Sequence, residues 1–180
     1  KDIYPGPNGD ISYPQDYIEF NGIVYFGAQD VDHGFEFWRT DGTEVGTYMV
    51  KDIDPEVTWS GPVSSGASNF GLLKDFLLFR AMGELWRTDG TSEGTYQVKE
   101  IDTHESNRSN PVGWRKFKDE LYFSAATANT DRELYKTNGT TSGTVLVKTI
   151  NTSGTSNPDN YIVVNDKLYF TATNSTYGKE

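Results

Sequence analysis

Two sets of side chains have the types and spacing that binding chemistry needs. Asp30, Asp32 and Glu36 place three carboxylates around His33 and Gly34. Ca2+ takes about six to eight oxygens, and a short acidic loop of this kind supplies three or four of them. Asn129, Asp131 and Glu133 form a weaker version, and the shorter segment Ala81-Met82-Gly83-Glu84 has lost it. Acidic residues beside turns are also common solvated features, so both readings stand. His33 has no His or Cys in register, which disfavours zinc. The second set is Trp59 with Ser60 and Tyr13, the candidate ligand-binding residues. An aromatic face beside small polar residues can stack on a sugar or a partner chain. Alternatively, Trp59 plugs a gap under its own loop.

Catalytic signatures are missing. No Ser–His–Asp set, HExxH, P-loop or dinucleotide fingerprint occurs, and no carboxylate pair is marked as a glycosidase couple. The expectation is a protein that is not an enzyme. Asn-x-Ser/Thr triplets begin at Asn107, Asn138, Asn151 and Asn174. They carry little weight in a chain this rich in Asn, Ser and Thr.

Composition indicates what must hold these groups. The chain has 180 residues with 18 glycines, 14% aromatic and only 35% hydrophobic residues. That mix favours short strands and many turns over packed helices. A net charge of −10 opposes electrostatic binding to nucleic acid or anionic membrane. No apolar run reaches the roughly 18 residues that would suggest a membrane span. The lack of cysteine excludes disulfides and thiolate chemistry. Lys1-Asp2-Ile3 opens the chain in the middle of a pattern, and no signal peptide is expected in these 180 residues.

That pattern is a repeat. Segments starting at Glu36, Glu84 and Glu133 align over 18 residues and end at Ile53, Ile101 and Ile150, at spacings of 48 and 49 residues. Glu180 stands where a fourth would begin, and Lys1-Asp2-Ile3 matches the close Lys51-Asp52-Ile53. Upstream of each lies an apolar run, Val24-Tyr25-Phe26, Leu77-Leu78-Phe79, Leu121-Tyr122-Phe123 and Leu168-Tyr169-Phe170, preceded by a turn pair such as Asn21-Gly22. Tyr17, Phe70, Trp114 and Tyr161 are equivalent again. The first period therefore predicts strands over 16–21, 23–28, 35–41 and 46–53. The units are 1–3 (end of a preceding repeat), 4–53, 54–101, 102–150 and a partial 151–180. The fold class is all-β: a β-propeller of four-stranded antiparallel blades, about 48 residues each, as an incomplete ring or part of a longer array. A single blade cannot bury both faces and must stack on its neighbours.

Glu84-Leu85-Trp86-Arg87-Thr88-Asp89-Gly90-Thr91, followed by Gly94-Thr95 and Val98-Lys99-Glu100-Ile101, resembles the ELWxxDGT repeat proteins of bacteria. The resemblance covers the whole chain. Phe37 replaces Leu in the first repeat, and Tyr135 and Asn138 replace Trp and Asp in the third. It implies a large secreted or surface-attached bacterial protein without established catalytic activity. The turns Asp41-Gly42-Thr43, Asp89-Gly90-Thr91 and Asn138-Gly139-Thr140 also resemble the Asp-box turn of sialidase-type propellers, which is structural. Glycine supplies the positive φ and the Asp or Asn oxygen caps backbone N–H groups. Trp38, Trp86 and Tyr135, like the four upstream aromatics, are expected in the core between blades.

Function usually sits where repeats differ. The connection from closing Ile to the next aromatic is 14, 17, 13 and 11 residues long, and Trp59 lies in the longest. Joining the termini would leave a ring short of the piece equivalent to Phe37–Val50. The chain is then expected to be a window on a longer array, or to receive a strand from a neighbouring subunit. The leading expectation is a structural or adhesive module of the bacterial exterior, at the cell surface or secreted, that self-associates. The alternative is a lectin-like propeller that binds glycans through Trp59.

Overall fold

The computed structural model describes residues 1–5, 11–103, 108–127 and 131–180. Its elements are strands and turns, with no helix among the described residues. In the first repeat β1 (Gln15–Phe20), β2 (Ile23–Asp30), β3 (Gly34–Thr40) and β4 (Tyr48–Lys51) form an antiparallel meander in sequence order. A two-stranded hairpin of β5 (Val57–Thr58) and β6 (Gly61–Pro62) follows. The second meander is β7 (Ser68–Leu73), β8 (Phe76–Ala81), β9 (Glu84–Thr88) and β10 (Tyr96–Lys99). The third is β11 (Val112–Phe117), β12 (Glu120–Ala126), β13 (Arg132–Thr137) and β14 (Val145–Lys148). The partial repeat supplies the pair β15 (Asp159–Val164) and β16 (Lys167–Thr171), then the small hairpin β17 (Thr173–Asn174) and β18 (Gly178–Lys179).

Local sequence explains these elements. Asn21 and Gly22 have φ of 54° and 77°, which matches the twist of a two-residue hairpin. Within β2 and β3 the opposed pairs Phe26–Trp38 and Ala28–Glu36 share the register of Phe123–Tyr135 and Ala125–Glu133 in the third repeat. Glu180 and Ala172 exchange two backbone hydrogen bonds of 2.9 Å, so the fourth Glu enters the same register. Each first strand is also bulged at one place, with Asp16, Asn69, Gly113 and Asn160 at φ between 53° and 76°. The extra residue twists the strand and re-aims the aromatic that follows it.

Packing occurs between the meanders. One buried cluster joins Phe20, Tyr25, Phe37 and Val50 of the first to Leu77, Phe79, Ala81 and Trp86 of the second. The next joins Leu73, Leu78, Leu85 and Val98 of the second to Leu121, Phe123, Ala125 and Tyr135 of the third. The strand-three residue pairs Phe37/Trp38 and Leu85/Trp86 thus point one side chain forward and one backward along the array. The first strands touch in succession, β1 to β7, β7 to β11 and β11 to β15.

Two expectations need correction. Tyr17 is not core: it is 62% exposed, whereas Tyr161 is 7% exposed. The first-strand aromatic packs on the preceding repeat, as Phe70 does on Phe37 at 5.7 Å between ring centroids. Among the described residues no sheet precedes the first. The fourth strand is also shorter than 46–53, because Gly46 and Thr47 belong to the turn.

Candidate functional site

Three polar turns with the same hydrogen-bond pattern join the third and fourth strands. In the first, Asp41 Oδ1 accepts hydrogen bonds from the Thr43 amide (2.9 Å) and hydroxyl (2.7 Å). Thr43 Oγ1 accepts from the Gly46 amide, and Thr47 Oγ1 donates to the Thr43 carbonyl at 2.6 Å. Thr40 Oγ1 accepts from the Gly42 amide and shares a bond with Thr47 Oγ1. Asp89, Gly90 and Thr91 rebuild this arrangement with Gly94, Thr95 and Thr88. Asn138, Gly139 and Thr140 do so with Gly143, Thr144 and Thr137. The Thr hydroxyl and amide hold the Asp41 and Asp89 carboxyls below their ordinary pKa, by favouring the charged form. Gly42, Gly90 and Gly139 have φ of 90°, 98° and 84°, as the turn requires. The second glycines (Gly46, Gly94, Gly143) serve differently: a β-carbon there would run into the Asp or Asn side chain.

The turns are also joints. Lys51 Nζ donates to the carbonyl of Thr95 (2.6 Å), in the turn of the next repeat. Lys99 reaches Thr144 O at 2.7 Å, and Lys1 reaches Thr47 O at 3.0 Å. At the second junction Arg87 donates to Gly139 O, and Thr141 donates to Val98 O at 2.7 Å. The same Arg87 lies 3.9 Å over the Phe76 ring, a cation–π contact.

A second joint is built on the repeated glutamates. Glu36 is fully buried and accepts from the amides of Ile53 (2.9 Å) and Ser65 (2.8 Å). Glu84 accepts from Ile101 N, Ser109 N and Ser109 Oγ. Glu133 accepts from Ile150 N, Asn151 N and Ser156 Oγ. Each carboxylate therefore ties the close of its own repeat to the entry of the next. Burial pushes the Glu36 carboxyl up to about 7, outweighing the amide donors. The serines are residues that sequence reasoning missed. Ser12, Ser65, Ser109 and Ser156 each stand five residues before the first-strand aromatic, and each carbonyl accepts, at 2.6–2.8 Å, from an amide at or just past the end of the second strand of its repeat (Gln29, Met82, Ala126 and Thr173). That constant spacing was the available signal.

The expected calcium set is not gathered. Asp30 Oδ1 and Oδ2 face His33 Nδ1 at 3.1 and 2.9 Å, and Oδ1 also accepts from the amides of Asp32 and His33. That contact raises the His33 pKa. Asp32 is exposed, and Glu36 faces the joint described above. Among the described residues no three His, Cys, Asp or Glu side chains form a metal-sized group. Asn129 lies outside the described residues, as does Asn107. Of the other triplet asparagines, Asn138, Asn151 and Asn174 use their side-chain oxygens within turns.

Trp59 is 100% exposed at the tip of the β5–β6 hairpin, so it does not plug a gap. Ser60 bonds to Thr58 across that tip. Tyr13 is 60% exposed with φ of 45°, at a position where the later repeats have Gly66, Asn110 and Asn157. A bulky residue there is strained. Both lie in the connection that follows a closing Ile, Tyr13 in the first and Trp59 in the second.

No protein-family model and no curated protein matches the chain.

Proposed function

We propose that this chain is a non-enzymatic structural or adhesive repeat module of a bacterial extracellular or cell-surface protein, with its sheets set around an axis as in a β-propeller. The observation that carries this reading is the recurrence of both joints at successive junctions. The groups that repeat are occupied in holding one sheet to the next, which is what a stacking module requires. Successive contact of the first strands, β1 to β7 to β11 to β15, supports the radial arrangement. Exposed apolar side chains on β14 and β15, among them Leu146, Ile162 and Val164, support self-association. The placement outside the cell rests on the motif's resemblance to bacterial surface repeats. Light scattering and electron microscopy of the purified chain test it: concentration-dependent assemblies are expected, and a strictly monomeric, surface-inert species would count against the proposal.

The exposure of Trp59 favours a second reading, glycan binding at the β5–β6 tip. The expected result on a glycan array is binding that Trp59→Ala removes while the unfolding midpoint stays unchanged. Absence of binding to any glycan would eliminate this reading.

A further inference from the structure

A cavity of about 410 Å3 opens between the third sheet and the β15–β16 pair. Ser124, Arg132, Asp159 and Lys179 supply its polar lining, with Val112 and Pro158 among the apolar walls. Arg132 Nη1 donates to the carbonyls of Asn110 and Ser124, each at 3.0 Å. Among the described residues no carboxylate pairs with this guanidinium, and its other nitrogens have no protein partner. Burial, and after it the like charge of Arg80, hold the Arg132 pKa below its usual value. Arg80 itself donates to Ser68 Oγ, a neutral group.

A second observation points the same way. Ser124 is 2% exposed and its hydroxyl has no hydrogen-bond partner. Buried hydroxyls are nearly always satisfied, and one that is not, facing a polar cavity, is a donor in want of an acceptor. A planar carboxylate suits a guanidinium with free N–H groups beside a hydroxyl donor. Asp159 offers an acceptor to a ligand hydroxyl and offsets the charge of Lys179 on the same lining, so the cavity carries one net positive charge and suits a monoanion better than a dianionic phosphate.

We propose that this cavity binds a small sugar acid, its carboxylate held by Arg132 and Ser124 and a ring hydroxyl by Asp159. The site is separate from Trp59 and independent of the stacking role. The probes are D-glucuronate and D-galacturonate, with D-glucose and inorganic phosphate as comparators, followed by amide chemical shifts. Saturable shifts confined to Gly113, Ser124 and their neighbours are expected for at least one sugar acid, at tenfold or greater preference over glucose and phosphate. Arg132 also braces two carbonyls, so Arg132→Gln can fail to fold. Ser124→Ala removes an unpartnered hydroxyl, leaves the fold intact and is expected to weaken binding at least fivefold. Equal response to glucose, preference for phosphate, no saturable shift with either sugar acid, or unchanged affinity in Ser124→Ala would each overturn the assignment.

Discussion

Thr95 illustrates how much a single side chain carries. It is fully buried, with Oγ1 2.6 Å from the Thr91 carbonyl and 2.7 Å from Thr88 Oγ1. Its one proton goes to the carbonyl, so Thr88 donates to it. Thr95→Val keeps the shape and leaves both partners unsatisfied, which costs about 1–3 kcal/mol. Thr95→Ser keeps the hydroxyl and should cost visibly less; urea midpoints compare the two. Glu36 offers a pH signature. Its carboxyl is raised from 4.5 to about 7 in the fold. A raised acid favours folding when protonated, so its contribution is complete below pH 4.5 and is lost as pH rises through 7. Melting temperature should fall over that window, and Glu36→Gln should flatten the fall. At this scale the sequence exposed the Asp-Gly-Thr turn because three copies display it. It misled at Glu36, since acidic spacing alone does not say which way a carboxylate faces. Tyr13 is an aromatic in a left-handed position, and only comparison with Gly66, Asn110 and Asn157 reveals that.

Strands were the most legible part of the molecule. Apolar runs bounded by turn pairs, Asn21-Gly22, Lys74-Asp75, Lys118-Asp119 and Asn165-Asp166, fix two antiparallel partners, and the register follows from which face is buried. The bulge in each first strand was not legible. It depends on one left-handed residue, and Asp16, Asn69, Gly113 and Asn160 share no single type. Nor did the pattern show that the closing lysines reach into the neighbouring turn, because that contact spans 44 to 46 residues. Lys99→Met tests the joint as an element. Losing a charge-assisted bond to Thr144 O is expected to cost about 1 kcal/mol. Amide exchange should quicken in the Thr140–Thr144 turn while the β7–β8 hairpin stays protected. Equal loosening of both would mean that the lysine acts through general charge instead.

For the molecule as a whole, stability is close to a sum over sheets and junctions, since the described sheets pack in succession on their neighbours. The two junctions between complete meanders each have a continuous buried cluster, whereas β15 turns Ile162, Val163 and Val164 outward. Replacing Ile162 and Val164 by Lys should lower light scattering at high concentration without lowering the melting temperature. Undiminished scattering would locate self-association elsewhere. Helix absence, period and strand order were readable from composition and repeats. The closed or open state of the assembly is a long-range property that no local spacing encodes.

The recurring contacts of both joints run in one direction: Lys51 and Lys99 reach forward into the next turn, and Glu36 and Glu84 take the Ser65 and Ser109 amides of the next entry. Each period thus has a plug at one end and a socket at the other, and the Lys and Glu plugs meet sockets of the same kind. In-frame duplication or deletion of one whole period would leave no mismatched ends. A gene encoding such a chain can lengthen or shorten by unequal recombination and still yield a foldable product, so array length is free to drift while the unit stays fixed.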